Sequence, residues 1–411
     1  MRAFAAQWIP LTPEAARLPS AKVETTVREA WRKARREMLK VINRTSYRSV
    51  FTLYLFAQTP IPFGIYEDEE LDGLNSLVCM QTALLQLQWL RSHRSVVQRS
   101  DAGTSESADD DAISLKYVDL ESRAYWSAMT WDTSTSLLSD CRTSLTSGLK
   151  GACSEPTWRL VKAFLVGAFT PKTQKWHEDG FELNNRCVEE IMGAATICNT
   201  YIWKNVTSVK EALREGVSGG EVDFAWKALL DAFDIFGASI RPLLIKCDMM
   251  SPCLDQRLRL SLYQVQLRHC LGMLVLLEAL EAAARSDLLG EVRSLNDIAL
   301  TTCFDVLKFG LENSYSIESP VDESAHILGS RSDITSTLVA INPYPQYVVD
   351  MVLIMRKRLA RNQNQSESIQ DTFPHEMSIL SRSLHQLPQS ARSVQEALAK
   401  VSTLWNGTYG I

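Results

Sequence analysis

Cysteine and histidine are two residue types that could bind a metal or supply a nucleophile, and their spacing in this sequence favours neither role. Metal ligands must converge, as two histidines do when they stand four positions apart on a helix. The six histidines include no such pair, and the nine cysteines include no Cys-x-x-Cys pair. His269, beside Cys270 in an apolar stretch, is predicted to be a core histidine. We expect no metal site and no cofactor, and we interpret the cysteines as small buried residues in a reducing compartment.

Motifs for phosphate binding or acyl transfer are not supported either. The glycine-rich stretch 216–220 follows no predicted strand, which indicates a linker and not a phosphate loop or a nucleophile elbow. All-helical terpene synthases hold magnesium with an Asp-rich motif, but the run Asp109-Asp110-Asp111 lies in a polar segment rich in Ser and Ala. Distant carboxylates could still meet as an acid–base pair, although no pair stands out. We predict that the chain is not an enzyme, and an all-helical enzyme is the distant alternative.

The charge balance limits the partners that the chain could have. Its formal net charge is −5, whereas a domain that binds nucleic acid by neutralising phosphates is normally basic. We therefore expect no direct DNA contact. Apolar residues make up 45% and charged residues 22% of the chain, which is typical of a folded globular protein. The longest apolar stretch, 271–277, is too short to cross a bilayer, so we expect a soluble protein without membrane contact.

Apolar residues recur at three- and four-residue steps along most of the chain, which is the pattern of amphipathic helices. No strand-like alternation with hairpin turn chemistry persists anywhere. The predicted fold class is therefore all-α: one compact multi-helix domain over 1–411, with long polar surface loops at 98–114 and 314–332. The predicted helices cover 23–42, 47–58, 67–91, 120–138, 156–171, 180–203, 208–215, 221–246, 255–285, 291–313, 346–361, 367–387 and 390–405.

The segment 120–132, LESRAYWSAMTWD, resembles the most recognisable stretch of a known regulatory region. This is the "middle homology" domain of fungal binuclear zinc-cluster transcription factors. In that family an arginine precedes an aromatic residue, and a helix then carries an aspartate near a Ser-rich turn; Arg123, Trp126 and Asp132 stand at those positions. Stretches 47–65, 67–73 and 144–158 are also similar to a subgroup of these regulators. None of the nine cysteines has the short spacings of the family's DNA-reading zinc cluster.

The resemblance implies a regulator in the nucleus, or one that shuttles between cytoplasm and nucleus, with a homodimer and co-regulator proteins as expected partners. Some regulators of this family sense small molecules, including xenobiotics, through this region. By that analogy we predict an apolar ligand held by large, adaptable side chains on central helices, although each of these also fits plain core packing. The candidates are Trp126, Met129, Trp131, Phe164, Phe233, Phe236 and Met273.

A ligand-free interaction module is the alternative function. In that case the domain would dimerise and present surfaces to co-regulators. The basic face of residues 28–40 and the helix 346–361 are the candidate contact faces. An enclosed apolar pocket of several hundred cubic ångströms would favour the ligand-sensing hypothesis over this alternative.

Overall fold

Helices account for nearly all of the regular structure, as the sequence predicts. The computed structural model describes residues 1–12, 15, 17–100, 108–139, 141–145, 156–216, 219–317, 334–363 and 373–409. Within these residues the fold is all-α, with one small sheet of two antiparallel strands, β1 (Ser314–Ile317) and β2 (Ile334–Thr337). Ser314 pairs with Thr337 and Ile317 with Ile334.

The N-terminal part of the chain has its own hydrophobic cluster, which we call the N-terminal core. Helix α3 packs against both α2 and α5. The cluster is centred on Trp31, Leu53, Tyr54, Phe56 and Leu87, all of which are buried. The helices of this part are α1 (Arg2–Ala6), α2 (Ser20–Val41), α3 (Tyr47–Ala57), α4 (Glu67–Leu71), α5 (Ser76–Ser100) and α6 (Ala108–Leu138).

A larger cluster, the main core, surrounds two long helices in the middle of the chain. Helix α12 packs against α9, α14 and α15, and α9 packs in turn against α6 and α10. The remaining helices are α7 (Pro156–Lys162), α8 (Thr170–Thr173), α9 (Asn185–Arg214), α10 (Gly220–Ile235), α11 (Arg241–Met249), α12 (Gln256–Ala282), α13 (Ser286–Glu291), α14 (Arg293–Glu312), α15 (Pro345–Gln363), α16 (Phe373–Gln386) and α17 (Arg392–Tyr409).

Helix α12 contains a long apolar stretch. Among the described residues it alone is long and apolar enough to cross a membrane, and 67% of that stretch is buried inside the protein. Its position at the centre of the main core accounts for this composition, because a helix that packs on several sides has to be apolar on several sides.

Among the described residues, capping side chains begin four of the helices. Ser46, Asn75, Asn184 and Asp255 each accept a hydrogen bond from the backbone N–H three residues later, at 3.1, 2.9, 3.0 and 2.9 Å. Each bond satisfies a backbone donor that has no partner within the first turn of a helix.

Contacts between the N-terminal core and the main core lie far apart in sequence. The hydroxyls of Tyr54 and Tyr344 are 3.2 Å apart, and the indole N–H of Trp8 donates to the carbonyl of Ala340 at 3.2 Å. The start of α17 adds a backbone bond from Arg392 to the carbonyl of Ile61 at 2.8 Å. The Arg392 side chain also pairs with Glu70. The N-terminal core is therefore fixed to the main core by polar contacts at its edge.

Both predicted polar loops are wrong in part. Residues 98–100 belong to α5 and residues 108–114 belong to α6, while 101–107 lie outside the described residues. Polarity does not exclude a helix, and aspartates such as 109–111 are favoured in a first turn. Residues 314–317 form β1, and 318–332 lie outside the described residues. A four-residue strand is too short for its alternation to be seen in sequence.

Some predicted helix boundaries also differ from the structure. The predicted helix 67–91 is broken near Gly73, which has a φ of 136° that residues with a side chain rarely adopt. The predicted helices 180–203 and 208–215 are one continuous helix, α9. Residues 204–208 are all buried, so packing against the rest of the protein stabilises α9 through this polar stretch.

Candidate ligand-binding cleft

A cleft of about 480 Å³ opens between α11, α12 and α14. Its floor is apolar, and charged side chains stand among its walls. It is open to solvent on one side and is not an enclosed cavity. The apolar lining residues are Phe236, Leu244, Ile245, Met273, Leu295, Ile298, Val306 and Phe309, and the polar ones are Arg241, Asp248, Gln266, His269, Cys270, Thr302, Asp305, Lys308 and Glu312.

A π-helical turn places Phe236 at the floor of this cleft. Residues Phe236–Ile240 form the turn between α10 and α11, directly before Pro242. Proline has no N–H to donate and its ring clashes with the preceding helical turn, so the wider π geometry relieves a conflict that the sequence imposes. Single π turns inside helices occur frequently at functional sites.

A second π-helical turn supports the first one. Residues Ala163–Phe169 form it, and Pro171 follows at the same spacing as Pro242. The Thr170 hydroxyl donates to the carbonyl of Leu165 at 2.8 Å and lies 3.0 Å from the hydroxyl of Ser239 in the first turn. A hydrogen bond therefore ties the two irregular turns together behind the cleft.

His269 is the polar group at the floor of the cleft. Its ring stacks on Phe236 with the centroids 3.8 Å apart and the planes 7° from parallel. Nδ1 lies 3.2 Å from Oδ1 of Asn199, and Nδ2 of Asn199 donates to the carbonyl of Val265 at 2.9 Å. Because the Asn199 amide presents its oxygen to the ring, Nδ1 of His269 carries the proton and Nε2 is left as an acceptor.

The environment keeps this imidazole neutral. Burial, with the positive charge of Arg241 as a smaller cause, lowers the pKa of His269 to about 3. A neutral ring offers a ligand a hydrogen-bond acceptor without a charge, which suits a mainly apolar molecule that carries one hydroxyl or N–H group.

Two carboxylates stand where the cleft meets solvent. Burial raises the pKa of Asp248, and the nearby charge of Asp305 raises it further. Lys308 lies 3.9 Å from Glu312 on the same helix, so its charge is already partly balanced. The cleft therefore combines an apolar floor with a charged rim, which is suited to an amphipathic molecule.

The seven residues predicted to hold a ligand do not form one site. Phe236 and Met273 line the cleft, and Phe233 lies next to it, with its ring 6.0 Å from that of His269. Phe164 does not line the cleft, and it is 40% exposed.

The other three candidates are on α6, where they pack in or against the two hydrophobic cores. Met129 is buried in the main core. Trp126 is partly buried against the main core and forms an edge-to-face pair with Tyr125. Trp131 is partly buried against the N-terminal core, where it stacks on Tyr54. Core packing was the alternative that the sequence left open for each of them.

Sequence reasoning missed most of the polar groups in the cleft. Arg241, Asp248 and Asp305 stand on two helices, and helical spacing does not show that those helices face one another. One signal was present in the sequence: Pro242 interrupts a strongly apolar helix and so marks an irregular turn.

Asp132, which the family resemblance singles out, has a structural role here. Its carboxylate accepts hydrogen bonds from the backbone N–H groups of Ser144 and Leu145 at 2.8 and 2.7 Å. Burial raises its pKa, while these bonds and the charge of buried Lys204 act in the opposite direction. The aspartate thus holds segment 141–145 against α6.

Several side chains of the two candidate contact faces form ion pairs or hydrogen bonds with other helices and turns of the same chain. On α2, Arg32 pairs with Glu69, and Arg35 donates to the carbonyls of Glu69, Glu70 and Leu74. These bonds hold α4 and the turn that follows it. On α15, three basic residues face two glutamates of α12; the pairs are Lys357 with Glu278, Arg358 with Glu281, and Arg361 with both glutamates.

Comparisons with protein-family models, with curated proteins and with solved structures found no match. Among the residues that the structure describes, no group of three His, Cys, Asp or Glu side chains could hold a metal ion. The geometry of the cleft is therefore the main basis for a functional proposal.

Proposed function

We propose that this chain is the regulatory, small-molecule-sensing domain of a fungal zinc-cluster transcription factor. The cleft between α11, α12 and α14 takes an apolar ligand or xenobiotic, and its occupancy alters transcription. The observation that supports this proposal is a cleft of about 480 Å³ with an apolar floor, where His269 is a neutral acceptor. The cleft is open to solvent, so it lacks the enclosure that would by itself favour ligand sensing over the interaction module. Its volume lies within the usual range for small-molecule sites, roughly 300–1,000 Å³.

The walls of the cleft can transmit occupancy to the rest of the domain. Phe236 belongs to a π-helical turn, and Met273 and Thr302 lie on two different helices of the main core. A ligand that contacts all three elements stabilises the arrangement in which they converge. Such a ligand shifts the conformational equilibrium by the difference between its affinities for the two arrangements.

Binding is tested with the whole chain by calorimetry and thermal shift against steroids, azoles and polycyclic aromatics. Thr302→Phe puts a large side chain into the cleft and should weaken any binder by at least about tenfold, since the space is then occupied. Thr301→Phe is the matched control, because Thr301 is the exposed neighbour on the same helix and does not line the cleft. Equal affinity of both variants, or no binder in the panel, would contradict the proposal.

The regulatory part of the proposal needs a separate assay. The chain is fused to an unrelated DNA-binding domain and tested with a reporter gene in fungal cells. We expect nuclear accumulation, and a reporter signal that changes when the binder is added. The change should be lost in Thr302→Phe and kept in Thr301→Phe. If the reporter signal does not respond to a compound that binds in vitro, the chain binds that compound but lacks the proposed regulatory role.

The ligand-free interaction module remains the second candidate, and one surface favours it. Val78, Leu85 and Trp89 repeat on one face of α5 and are 39%, 62% and 48% exposed. Exposed apolar stripes of this kind mark contact surfaces. Leu85→Glu should then convert a dimer into a monomer in sedimentation experiments, with the reporter signal lost whether or not a ligand is present.

A further inference from the structure

A second cavity, of about 590 Å³, lies where the N-terminal core meets the main core. The ends of α3 and α6 form one side of it, and the beginnings of α15 and α17 form the other. Glu67 and Ser76, the first residues of α4 and α5, also line the cavity, so four helix N-termini and two helix C-termini border it and the helix dipoles do not cancel.

Asp350 of α15 is the polar group in this cavity that lacks a complete set of partners. Its Oδ1 accepts a hydrogen bond from Nε2 of Gln346 at 2.9 Å. Its Oδ2 is buried and has no hydrogen-bond partner among the described residues. Burial raises the pKa of this carboxyl to about 6, and the bond from Gln346 opposes that effect. A buried carboxylate oxygen without a donor is costly, and it favours any ligand that brings one.

In the described part of the chain, the Asp350 carboxylate has no cationic side chain as an ion-pair partner. Among the described residues that line the cavity, Arg392 is the one cation, and it already pairs with Glu70 and lies 3.8 Å from Glu396. Arg268 stands behind the wall, with its guanidinium 5.9 Å from the centroid of the Tyr344 ring. Glu67, a further wall residue, has no ion pair among the described residues. The cavity therefore has an excess of negative charge.

The remaining walls combine aromatic rings with hydroxyl groups. Tyr344 and Tyr347 stack with their centroids 5.2 Å apart, and Pro60 also lines the cavity. The Ser134 hydroxyl donates to the carbonyl of Trp131 at 2.9 Å and also forms a hydrogen bond with the Tyr347 hydroxyl. An ammonium group has three donors and needs several acceptors, and an aromatic body packs well against tyrosine and proline.

We infer that this cavity binds a small aromatic molecule that carries a primary ammonium group. The ammonium pairs with the Asp350 carboxylate and donates to neighbouring hydroxyls, and the ring packs against Tyr344 and Pro60. An organic cation fits better than a metal ion, because the described residues do not bring three ligating side chains together here. This site is separate from the cleft at His269, and the inference does not rest on the proposed function.

Tyramine and 4-ethylphenol form a matched pair of probes, since 4-ethylphenol has the same ring and hydroxyl but no amine. Calorimetric titration of the whole chain should give binding of tyramine, and affinity at least about tenfold weaker for 4-ethylphenol. Asp350→Asn should weaken the binding of tyramine by a similar factor. The matched control is Asp297→Asn, which makes the same chemical change at an exposed position outside both cavities and should leave tyramine affinity unchanged.

A second variant keeps the test decisive if Asp350→Asn does not fold by circular dichroism. Ser393→Trp fills the cavity from α17 and should abolish binding, whereas Ser402→Trp, on the exposed side of the same helix, should not. The inference is overturned if tyramine does not bind, if 4-ethylphenol binds equally well, or if the variants that fold, Asp350→Asn or Ser393→Trp, bind tyramine as the wild type does.

Discussion

His269 illustrates how single side chains acquire their properties from distant parts of this chain. Its neutral state results from its partly buried position in the cleft, and its tautomer is fixed by Asn199 of α9. Neither feature depends on residues near it in sequence. The same burial that makes Nε2 a hydrogen-bond acceptor for a ligand also makes the imidazolium form costly in the folded protein.

The free energy of unfolding should therefore fall as the pH drops below about 6.5. An unfolded histidine titrates near pH 6.5, whereas folded His269 titrates near 3, so the unfolded chain binds the extra proton between these values. The stabilisation is present above pH 6.5 and is lost as the pH falls toward 3. Between pH 7 and pH 5 the wild type should lose about 1–2 kcal/mol more than His269→Gln in urea unfolding.

Asp350 has the opposite effect on stability. Because its pKa is raised in the folded protein, its contribution to the free energy of unfolding rises as the pH falls. It is present in both the wild type and His269→Gln, so its contribution cancels in the comparison. Parallel pH profiles for the two proteins would show that His269 is not held neutral by the fold.

Cysteine reactivity should follow burial. Burial raises the pKa of Cys79 to about 11 and those of Cys198 and Cys247 to about 12, whereas Cys253 is exposed. Because the thiolate is the reactive form, iodoacetamide at about pH 8 should modify Cys253 at least roughly tenfold faster than these three. Peptide mass spectrometry over time measures the order, and early labelling of Cys198 would contradict it.

At the scale of elements, two glycines set how closely the helices of the main core approach. A Cβ atom added at Gly272 of α12 would lie 2.8 Å from the Trp203 ring on α9. One added at Gly310 of α14 would lie 2.5 Å from the Tyr263 ring on α12. Both distances are shorter than real carbon contacts, so these helix pairs depend on the absence of a side chain.

Gly272→Ala and Gly310→Ala should each lower the free energy of unfolding by about 1–3 kcal/mol, because the ring or the helix has to move. Gly193→Ala on α9 is the control, since nothing lies within 4 Å of its added Cβ. That variant should instead gain about 0.5–1 kcal/mol, because alanine favours the helix over glycine. Urea unfolding measures all three, and destabilisation by Gly193→Ala alone would contradict the packing argument.

At the scale of the whole molecule, Arg392 is central to the attachment of the N-terminal core to the main core. It pairs with Glu70 and donates to the carbonyl of Ile65 at 3.4 Å, while its backbone N–H bonds to Ile61. The two hydrophobic clusters on either side are each internally packed. Local opening at this junction should therefore require less free energy than global unfolding.

Arg392→Met should increase hydrogen exchange in α4 and the segment before it, while exchange in α12 stays slow. The expected loss of global stability is about 1 kcal/mol, since the ion pair is partly exposed. Arg382→Met is the control, because Arg382 is an exposed residue of α16 without an ion pair among the described residues. Unchanged exchange in α4 would show that the other contacts hold the junction alone.

The helical class of this protein and most of its helices follow from the local periodicity of its side chains. Apolar side chains at helical spacing placed α2, α3, α12 and α14 within a few residues of their observed bounds. Periodicity works for such helices because it reports which face must leave water, and that requirement is local to the element. The short strands β1 and β2 escaped prediction because four residues are too few to establish an alternation.

Which side chains meet depends on how the helices pack against one another. Phe236 and Met273 were predicted as ligand contacts and line the cleft, but Trp131 was separated from them into the N-terminal core. The carboxylates Asp248 and Asp305 came together although 57 positions apart, which is the difference of their residue numbers. Spacing along one helix fixes a face, whereas the partner of that face depends on how whole helices pack, which is a property of the complete chain.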